Sequence, residues 1–122
     1  MTIQRLNPTA RYADATVLHG LVHAVEVPFG EEGDIKSQMA SLLAQLEKTL
    51  EAVGSGKDRL LMATVYLVDM ADYEGMNAVW EAWLPFGCAP SRACVQVARL
   101  AHAGWRVEVA VNIDVAGRVF AR

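Results

Sequence analysis

The hydrophobic positions of the chain follow a helical period in two segments. Between residues 34 and 53, apolar residues recur every three or four positions, which predicts an amphipathic helix. Asp34 is a suitable N-cap, because its side chain can accept a hydrogen bond from a first-turn amide, and Gly54 is a suitable stop. A second helix is predicted over residues 71–84, before Pro85. The two apolar stripes consist of Ile35, Met39, Leu42, Leu43, Leu46 and Leu50, and of Met76, Val79, Trp80 and Trp83.

Four other segments have the composition or the alternation of β-strands. Residues 16–27 are rich in valine and small residues and predict one strand, or two strands with Gly20 at a turn or bulge. Residues 59–68 are nearly all apolar, as expected for a central strand covered on both faces. Residues 92–100 and 105–115 complete the set, and the short loop between them predicts an antiparallel hairpin.

The alternation of the last strand predicts how the sheet is covered. From Trp105 to Val115 the odd positions are apolar and the even positions are mostly polar, so one side is predicted to be buried. Two amphipathic helices would cover that side of a mixed sheet, which makes the fold class α+β. The opposite face is predicted to be wet or packed on another subunit, and to carry Arg92, Cys94, Gln96, Glu108 and Asn112.

Composition and charge narrow the classes of partner. The chain has 122 residues, which corresponds to a single domain spanning residues 1–122, and 53% of them are hydrophobic, a high share for a small domain. A dense core and a buried subunit interface both explain that share. The net charge is −3 without any run of Lys or Arg, which argues against nucleic acid as a partner. No apolar stretch reaches membrane-spanning length and the first residues lack a signal-peptide core, so the predicted location is the cytoplasm.

Arg92 and Glu108 are the candidate functional pair, predicted to lie on neighbouring strands. A guanidinium group suits a small carboxylate substrate, because its planar fork can bind both carboxylate oxygens. A carboxylate within reach of that substrate can position or deprotonate a water molecule. The alternative is an ordinary cross-strand ion pair between Arg92 and Glu108, contributing about 0.2–1 kcal/mol to stability.

Cysteines and histidines offer weaker signals. Cys94 has two interpretations: a nucleophile whose pKa the nearby Arg92 lowers, or a small residue packed beside a pocket. The spacing of Cys88 and Cys94 fits no zinc or redox motif, and both are expected to be free thiols. His19 and His23 are four residues apart on a predicted strand and could share a metal, although no third ligand is evident, and His102 is expected to be exposed in a loop.

Several segments together resemble the RidA/YjgF family. Residues 89–100, Ala-Pro-Ser-Arg-Ala-Cys-Val-Gln-Val-Ala-Arg-Leu, resemble its signature, and Val107-Glu108-Val109 resembles the strand that follows. Arg11-Tyr12 and residues 19–22 are similar to the opening hairpin of the family. Residues 34–77 also follow the family pattern of a long helix, a strand and an Asp-containing turn before Met76-Asn77. The similarity extends over nearly the whole chain.

The resemblance implies a fold similar to chorismate mutase, assembled as a homotrimer with active sites in clefts between subunits. It implies hydrolysis of 2-aminoacrylate and related 2-imino acids to 2-keto acids and ammonia without a cofactor or metal, as in 2-iminobutanoate/2-iminopropanoate deaminases. Arg92 would bind the substrate carboxylate and Glu108 would position the attacking water. Cys94 would line the pocket, and Asn77 matches a family asparagine near the cleft.

One segment departs from the family pattern. The usual Ser-Gly-Gln or Ala-Gly-Gln is replaced around Ala24-Val25-Glu26, so the glycine is missing and Glu26 stands where glutamine is usual. His23 stands where an aromatic residue is common, and the loop at residues 101–105 also differs. The chain is therefore expected to be a divergent branch. The alternative function is a non-catalytic trimeric module that binds a small keto acid or related metabolite in the same cleft.

Overall fold

The computed structural model describes residues 2–115 as one six-stranded mixed sheet with two α-helices on one face. Met1 and residues 116–122 lie outside the described residues, so the predicted domain of residues 1–122 extends beyond them at both ends. The elements in chain order are β1 (Gln4–Leu6), β2 (Ala15–Leu18), β3 (Leu21–Glu26), α1 (Ile35–Ala52), β4 (Leu60–Leu67), α2 (Tyr73–Trp83), β5 (Ser91–Gln96) and β6 (Val107–Asp114). This arrangement confirms the α+β class.

Both predicted helices are confirmed, with the caps that the sequence indicates. Asp34 caps α1 by accepting a hydrogen bond of 2.9 Å from the Ser37 amide. Beyond the last turn, Gly54 takes the left-handed backbone conformation, with φ of +79°, that favours glycine at this position. A 3-10 turn at Met70–Asp72 precedes α2, and Leu84 caps it immediately before Pro85. The predicted apolar stripe of α1 is buried along its whole length.

Residues 16–27, for which the sequence predicted either one strand or two, contain two strands. His19 and Gly20 form the two-residue turn between β2 and β3, with φ of +54° and +79°. Positive φ at both positions is the geometry of the tight turns that match the twist of a β-hairpin. The three-residue strand β1, which the sequence did not predict, pairs with β2 at one edge of the sheet.

The predicted hairpin between the last two strands is wrong. The sheet order is β1-β2-β3-β6-β4-β5, so β4 separates β5 from β6. β5 pairs in parallel with β4, which is possible because α2 provides the crossover connection between them. β6 pairs antiparallel with both β3 and β4, at the centre of the sheet. The strand β5 is consequently an edge strand.

The helices cover only one face of the sheet, which is the face that carries the core. The alternation predicted for the last strand is confirmed, because Val107, Val109, Val111 and Ile113 are all at most 2% exposed. The prediction that the central strand β4 is covered on both faces is wrong for the single chain, since Met62, Thr64 and Tyr66 are half-exposed on the other face. That second face, opposite the helices, is called the open face below.

The buried side chain of Gln38 fixes the start of β6 against α1. Its Nε2 donates to the Gly104 carbonyl at 2.9 Å, and its Oε1 accepts from the Arg106 amide at 2.8 Å. Glu31 reinforces the same junction by accepting from the Gly104 amide at 3.1 Å. Position 104 needs glycine, because a Cβ atom there would lie 2.4 Å from the Glu31 carbonyl oxygen.

Candidate functional site

Arg92 lies on the helix-covered side of the edge strand β5. Its register partner on β4 is the buried Ala63, and its guanidinium reaches α2, where Nη2 donates to Oδ1 of Asn77 at 2.8 Å. The guanidinium carbon also lies 6.0 Å from the ring centroid of Tyr73 and 5.7 Å from that of Trp80, close enough for cation–π attraction. These contacts hold the guanidinium in one orientation.

A cavity of about 400 Å³ opens beside this guanidinium and is called the Arg92 cavity here. Its volume falls in the range typical of small-molecule sites. Asn77 accepts from one of the five N–H groups of the guanidinium, which leaves donors for a ligand. The cavity is lined by Tyr73, Asn77, Trp80, Glu81, Leu84, Pro85, Phe86, Gly87, Ala89 and Arg92.

Glu108 lies on the open face, in the middle of the sheet. It follows the buried Val107 in the alternation of β6, and its register partner on β4 is Tyr66. The side chain is half-buried, and this burial raises the pKa of the Glu108 carboxyl above its ordinary value. A carboxyl group with a raised pKa is a better proton acceptor at neutral pH than an ordinary surface glutamate.

The prediction that Arg92 and Glu108 share one face on neighbouring strands is therefore wrong. Arg92 pairs in register with Ala63, which faces the helices, whereas Glu108 pairs with Tyr66, which faces away from them. The strand β4 also lies between the two residues. An ordinary cross-strand ion pair between them is excluded within one chain for the same reason.

Cys94 and Gln96 also lie on the helix-covered side and not on the open face. Cys94 packs against the core, where burial raises the pKa of its thiol and the neighbouring Arg92 only partly opposes that rise. The thiol is therefore neutral at physiological pH, which disfavours the nucleophile interpretation. Gln96 accepts a hydrogen bond of 2.8 Å from the Met70 amide and so fixes the turn before α2. Cys88 and Cys94 are both free thiols.

The prediction that His19 and His23 lie on one strand face, where they could share a metal, is wrong. His19 occupies the β2–β3 turn, while His23 lies on the open face with its Nδ1 3.0 Å from Oδ1 of Asn112. His102 is exposed as expected, and it contacts Glu31 at 3.5 Å and the ring of Trp105 at a centroid distance of 4.3 Å. Within residues 2–115, no cluster of three or more His, Cys, Asp or Glu side chains is placed to hold a metal.

Glu26, which the resemblance sets where glutamine is usual, lies at the end of β3 on the helix-covered side. Burial raises the pKa of its carboxyl; the hydrogen bond that it accepts from Thr49 Oγ1 at 3.0 Å opposes the rise, and the Asp14 carboxylate adds to it. The ionised form of Glu26 is therefore unfavourable in the folded chain.

We expect Glu26→Gln to stabilise the fold at neutral pH by a few tenths to about 1 kcal/mol, a value reduced for the exposure of the side chain. Because the folded pKa is raised, the charged carboxyl costs stability above its unfolded pKa, and that cost disappears as the pH falls through the folded pKa. Thermal unfolding of the wild-type protein and of the variant at several pH values measures the difference in stability. The gain should vanish in acid, and an equal gain at all pH values would contradict the assignment to Glu26 ionisation.

Sequence reasoning missed the aromatic surroundings of Arg92. Tyr73 and Trp80 lie on α2, where Trp80 belongs to the predicted apolar stripe and Tyr73 is the first residue of the helix. The helical spacing of Trp80 indicated core packing, and Trp80 is indeed 5% exposed. The role of both rings beside Arg92 depends on the parallel placement of β5 along α2, which the spacing alone does not determine.

The chain is similar to proteins of one family over almost its full length. Residues 2–115 match the family described as Endoribonuclease L-PSP. A RutC family protein from Haemophilus ducreyi is 38% identical over 111 residues, 90% of this chain and 94% of that protein. The RutC family protein YoaB of Escherichia coli K12 is 37% identical, with 91% of this chain and 96% of that protein covered.

Solved structures give the same result. The crystal structure of a YjgF family member from Neisseria meningitidis is 40% identical and superposes with a TM-score of 0.89, covering 93% of this chain and 95% of that chain. A mixed sheet backed by two helices, which superposes on that structure, thus defines a domain of the YjgF type. The chain belongs to the RidA/YjgF family, which confirms the resemblance seen in the sequence.

Proposed function

We propose that the protein hydrolyses 2-imino acids, and the enamines in equilibrium with them, to 2-keto acids and ammonia. The observation that carries the proposal is the guanidinium of Arg92, held by Asn77 at the wall of a ligand-sized cavity with donors to spare. Such a group recognises a carboxylate through two parallel hydrogen bonds. The proposed location is the cytoplasm, where the free thiols of Cys88 and Cys94 would persist.

The reaction needs little machinery beyond positioning and a base. Water adds to the electrophilic imine carbon, and the carbinolamine that forms loses ammonia to leave the keto acid, so one imine and one water give one keto acid and one ammonia. Arg92 would orient the substrate by its carboxylate, and Glu108 would accept a proton from the attacking water and return it to the leaving nitrogen. No cofactor or metal is required by this scheme.

The positions of the two groups favour a site built from two copies of the chain. Arg92 lies at the edge strand and Glu108 lies on the open face, so the edge of one subunit must meet the open face of another to bring them together. The open face has apolar surface suited to such a contact, with Leu21, Val25 and Val95 each at least 42% exposed. We propose a homotrimer with three such clefts, in which the high hydrophobic share of the sequence serves both core and interface.

Two alternatives fit the observations less well. A module that only binds keto acids would explain Arg92, but it gains nothing from the half-buried carboxyl of Glu108 near an anionic ligand. The family description names an endoribonuclease, yet a net charge of −3 gives a polyanionic substrate no electrostatic attraction.

Among residues 2–115, neither helix has the length and apolar character to cross a membrane.

The test is an assay in which an amino acid oxidase generates the imino acid in the presence of catalase. A trapping nucleophile competes for the imine, so acceleration of hydrolysis appears as less trapped adduct and faster keto-acid formation. We expect acceleration in proportion to the protein concentration. A folded protein that binds keto acids but never accelerates hydrolysis would establish the binding module instead.

The pH dependence of the rate is expected to report Glu108. A general base acts only when deprotonated, so kcat/KM should fall as the pH falls through the raised pKa of this carboxyl. Glu108→Gln should lower kcat by roughly 10²-fold or more and remove this acid limb. Rates of the wild-type protein and of Glu108→Gln between pH 5 and 8 test this assignment. If kcat/KM of the variant still falls at low pH, another group causes the fall.

A further inference from the structure

We propose that the Arg92 cavity selects imino acids with aromatic or large branched side chains over small ones, an inference that rests on the proposed function. Arg92 is proposed to bind the substrate carboxylate, so the remainder of the cavity is available for the side chain of the substrate. Tyr73, Trp80 and Phe86 are assigned here as residues that determine specificity.

Aromatic and aliphatic side chains form part of the wall around the guanidinium. Trp80 and Tyr73 present their rings to Arg92 at centroid distances of 5.7 and 6.0 Å, and Leu84 and Pro85 continue the apolar wall beyond the end of α2. A ligand whose carboxylate binds Arg92 is therefore placed near the half-buried ring of Tyr73, behind which the ring of Trp80 is only 5% exposed. Flat or branched apolar groups make offset or edge contacts with such rings.

Phe86 completes this wall in an unusual way. Its side chain is fully exposed, at 105% of the reference area, although it lines the cavity together with the half-buried Tyr73. An aromatic ring in that position gains contact area when an apolar ligand group occupies the space between it and α2. A substrate whose side chain is a single methyl group is too small to make this contact with the ring.

The size and charge of the cavity point the same way. In the single chain the cavity has a volume of about 400 Å³, many times that of a methyl group, so an alanine-derived imine fills only a small part of this wall of the site. Glu81 lines the same cavity with a carboxylate. A substrate with a second carboxylate, such as a glutamate-derived imine, meets that like charge and is disfavoured.

The experiment compares acceleration over spontaneous hydrolysis for imines derived from alanine, leucine, phenylalanine and glutamate. For the wild-type protein, we expect kcat/KM for the phenylalanine- and leucine-derived imines to exceed that for the alanine-derived imine by roughly tenfold or more. The glutamate-derived imine should be the poorest of the larger substrates. An equal or higher value for the alanine-derived imine overturns the inference, while acceleration of any imine still supports the proposed function.

Two exposed phenylalanines provide matched variants. Phe86→Ala should lower the preference for the phenylalanine-derived imine by about three- to tenfold, since it removes part of the wall. Phe29→Ala removes an equally large ring, 85% exposed, from a loop outside the Arg92 cavity and should leave the preference unchanged. If both variants keep the wild-type preference, Phe86 does not determine specificity. If no imine is accelerated by any of the three proteins, the proposed function itself fails.

Discussion

Replacing Arg92 by alanine is expected to lower kcat/KM for imine hydrolysis by roughly a hundredfold or more, because the substrate carboxylate loses its paired cation. The fold should survive, since the side chain lies on an edge strand and is not fully buried. Arg92→Lys should recover only part of the activity, because an ammonium group cannot reproduce the planar fork that Asn77 orients. Initial rates in the oxidase-coupled assay, with thermal unfolding alongside, measure both effects.

Arg99 provides the matched control for this prediction. It is an exposed arginine that follows β5 in the same chain segment, and its guanidinium donates to the nearby carbonyls of Leu100 and Ala101. Arg99→Ala removes the same charge without touching the cavity, so activity should stay close to the wild-type value. Near-normal activity in Arg92→Ala would rule out the role assigned to this residue.

Two inactive variants are expected to restore activity when they assemble together. Arg92→Ala keeps Glu108, and Glu108→Gln keeps Arg92, so a cleft between unlike subunits can contain both intact groups. If the two variants carry different affinity tags, successive purification on both tags isolates mixed assemblies. Each mixed trimer then has one intact cleft, giving about a third of the wild-type activity in a closed three-subunit ring.

The recovered activity distinguishes a shared site from a site within one chain. If both groups act from the same subunit, every subunit of the mixed assembly is defective and the activity stays at the level of the variants. A mixture of Arg92→Ala with the double variant Arg92→Ala/Glu108→Gln supplies no guanidinium and should stay inactive in either case. Light scattering on the same samples measures whether three subunits are present.

Local patterns predicted the elements of the fold well, because helix and strand periods depend on near neighbours in sequence. The α1 stripe from Ile35 to Leu50 and the alternation of β6 both appear in the structure as predicted. The pairing of β5 was wrong, since a short loop between two strands favours a hairpin and nothing local signals the competing parallel pairing with β4. The connection through α2 decides that competition.

The chemistry of the residues and the family resemblance identified the candidate site residues. The sheet face predicted for those on β5 was wrong. The composition of its two sides was misleading: the apolar Ala93 and Val95 lie on the open face, whereas Arg92 and Cys94 lie on the helix-covered side. An arginine facing the helices is acceptable at a sheet edge, because its long side chain can reach a polar partner. Asn77 supplies that partner, and its contact with Arg92 depends on tertiary structure alone.

The central position of β6 has a consequence for how the chain folds during synthesis. β3 and β4 both pair with β6, so within residues 2–115 the halves β1–β3 and β4–β5 join into one sheet through the strand that comes last. Pairing of residues 21–26 with residues 109–114 closes a very long loop, and such non-local pairing is slow. A nascent chain that ends before Val107 exposes two unpaired apolar strands, so we expect it to require protection by chaperones until β6 is complete.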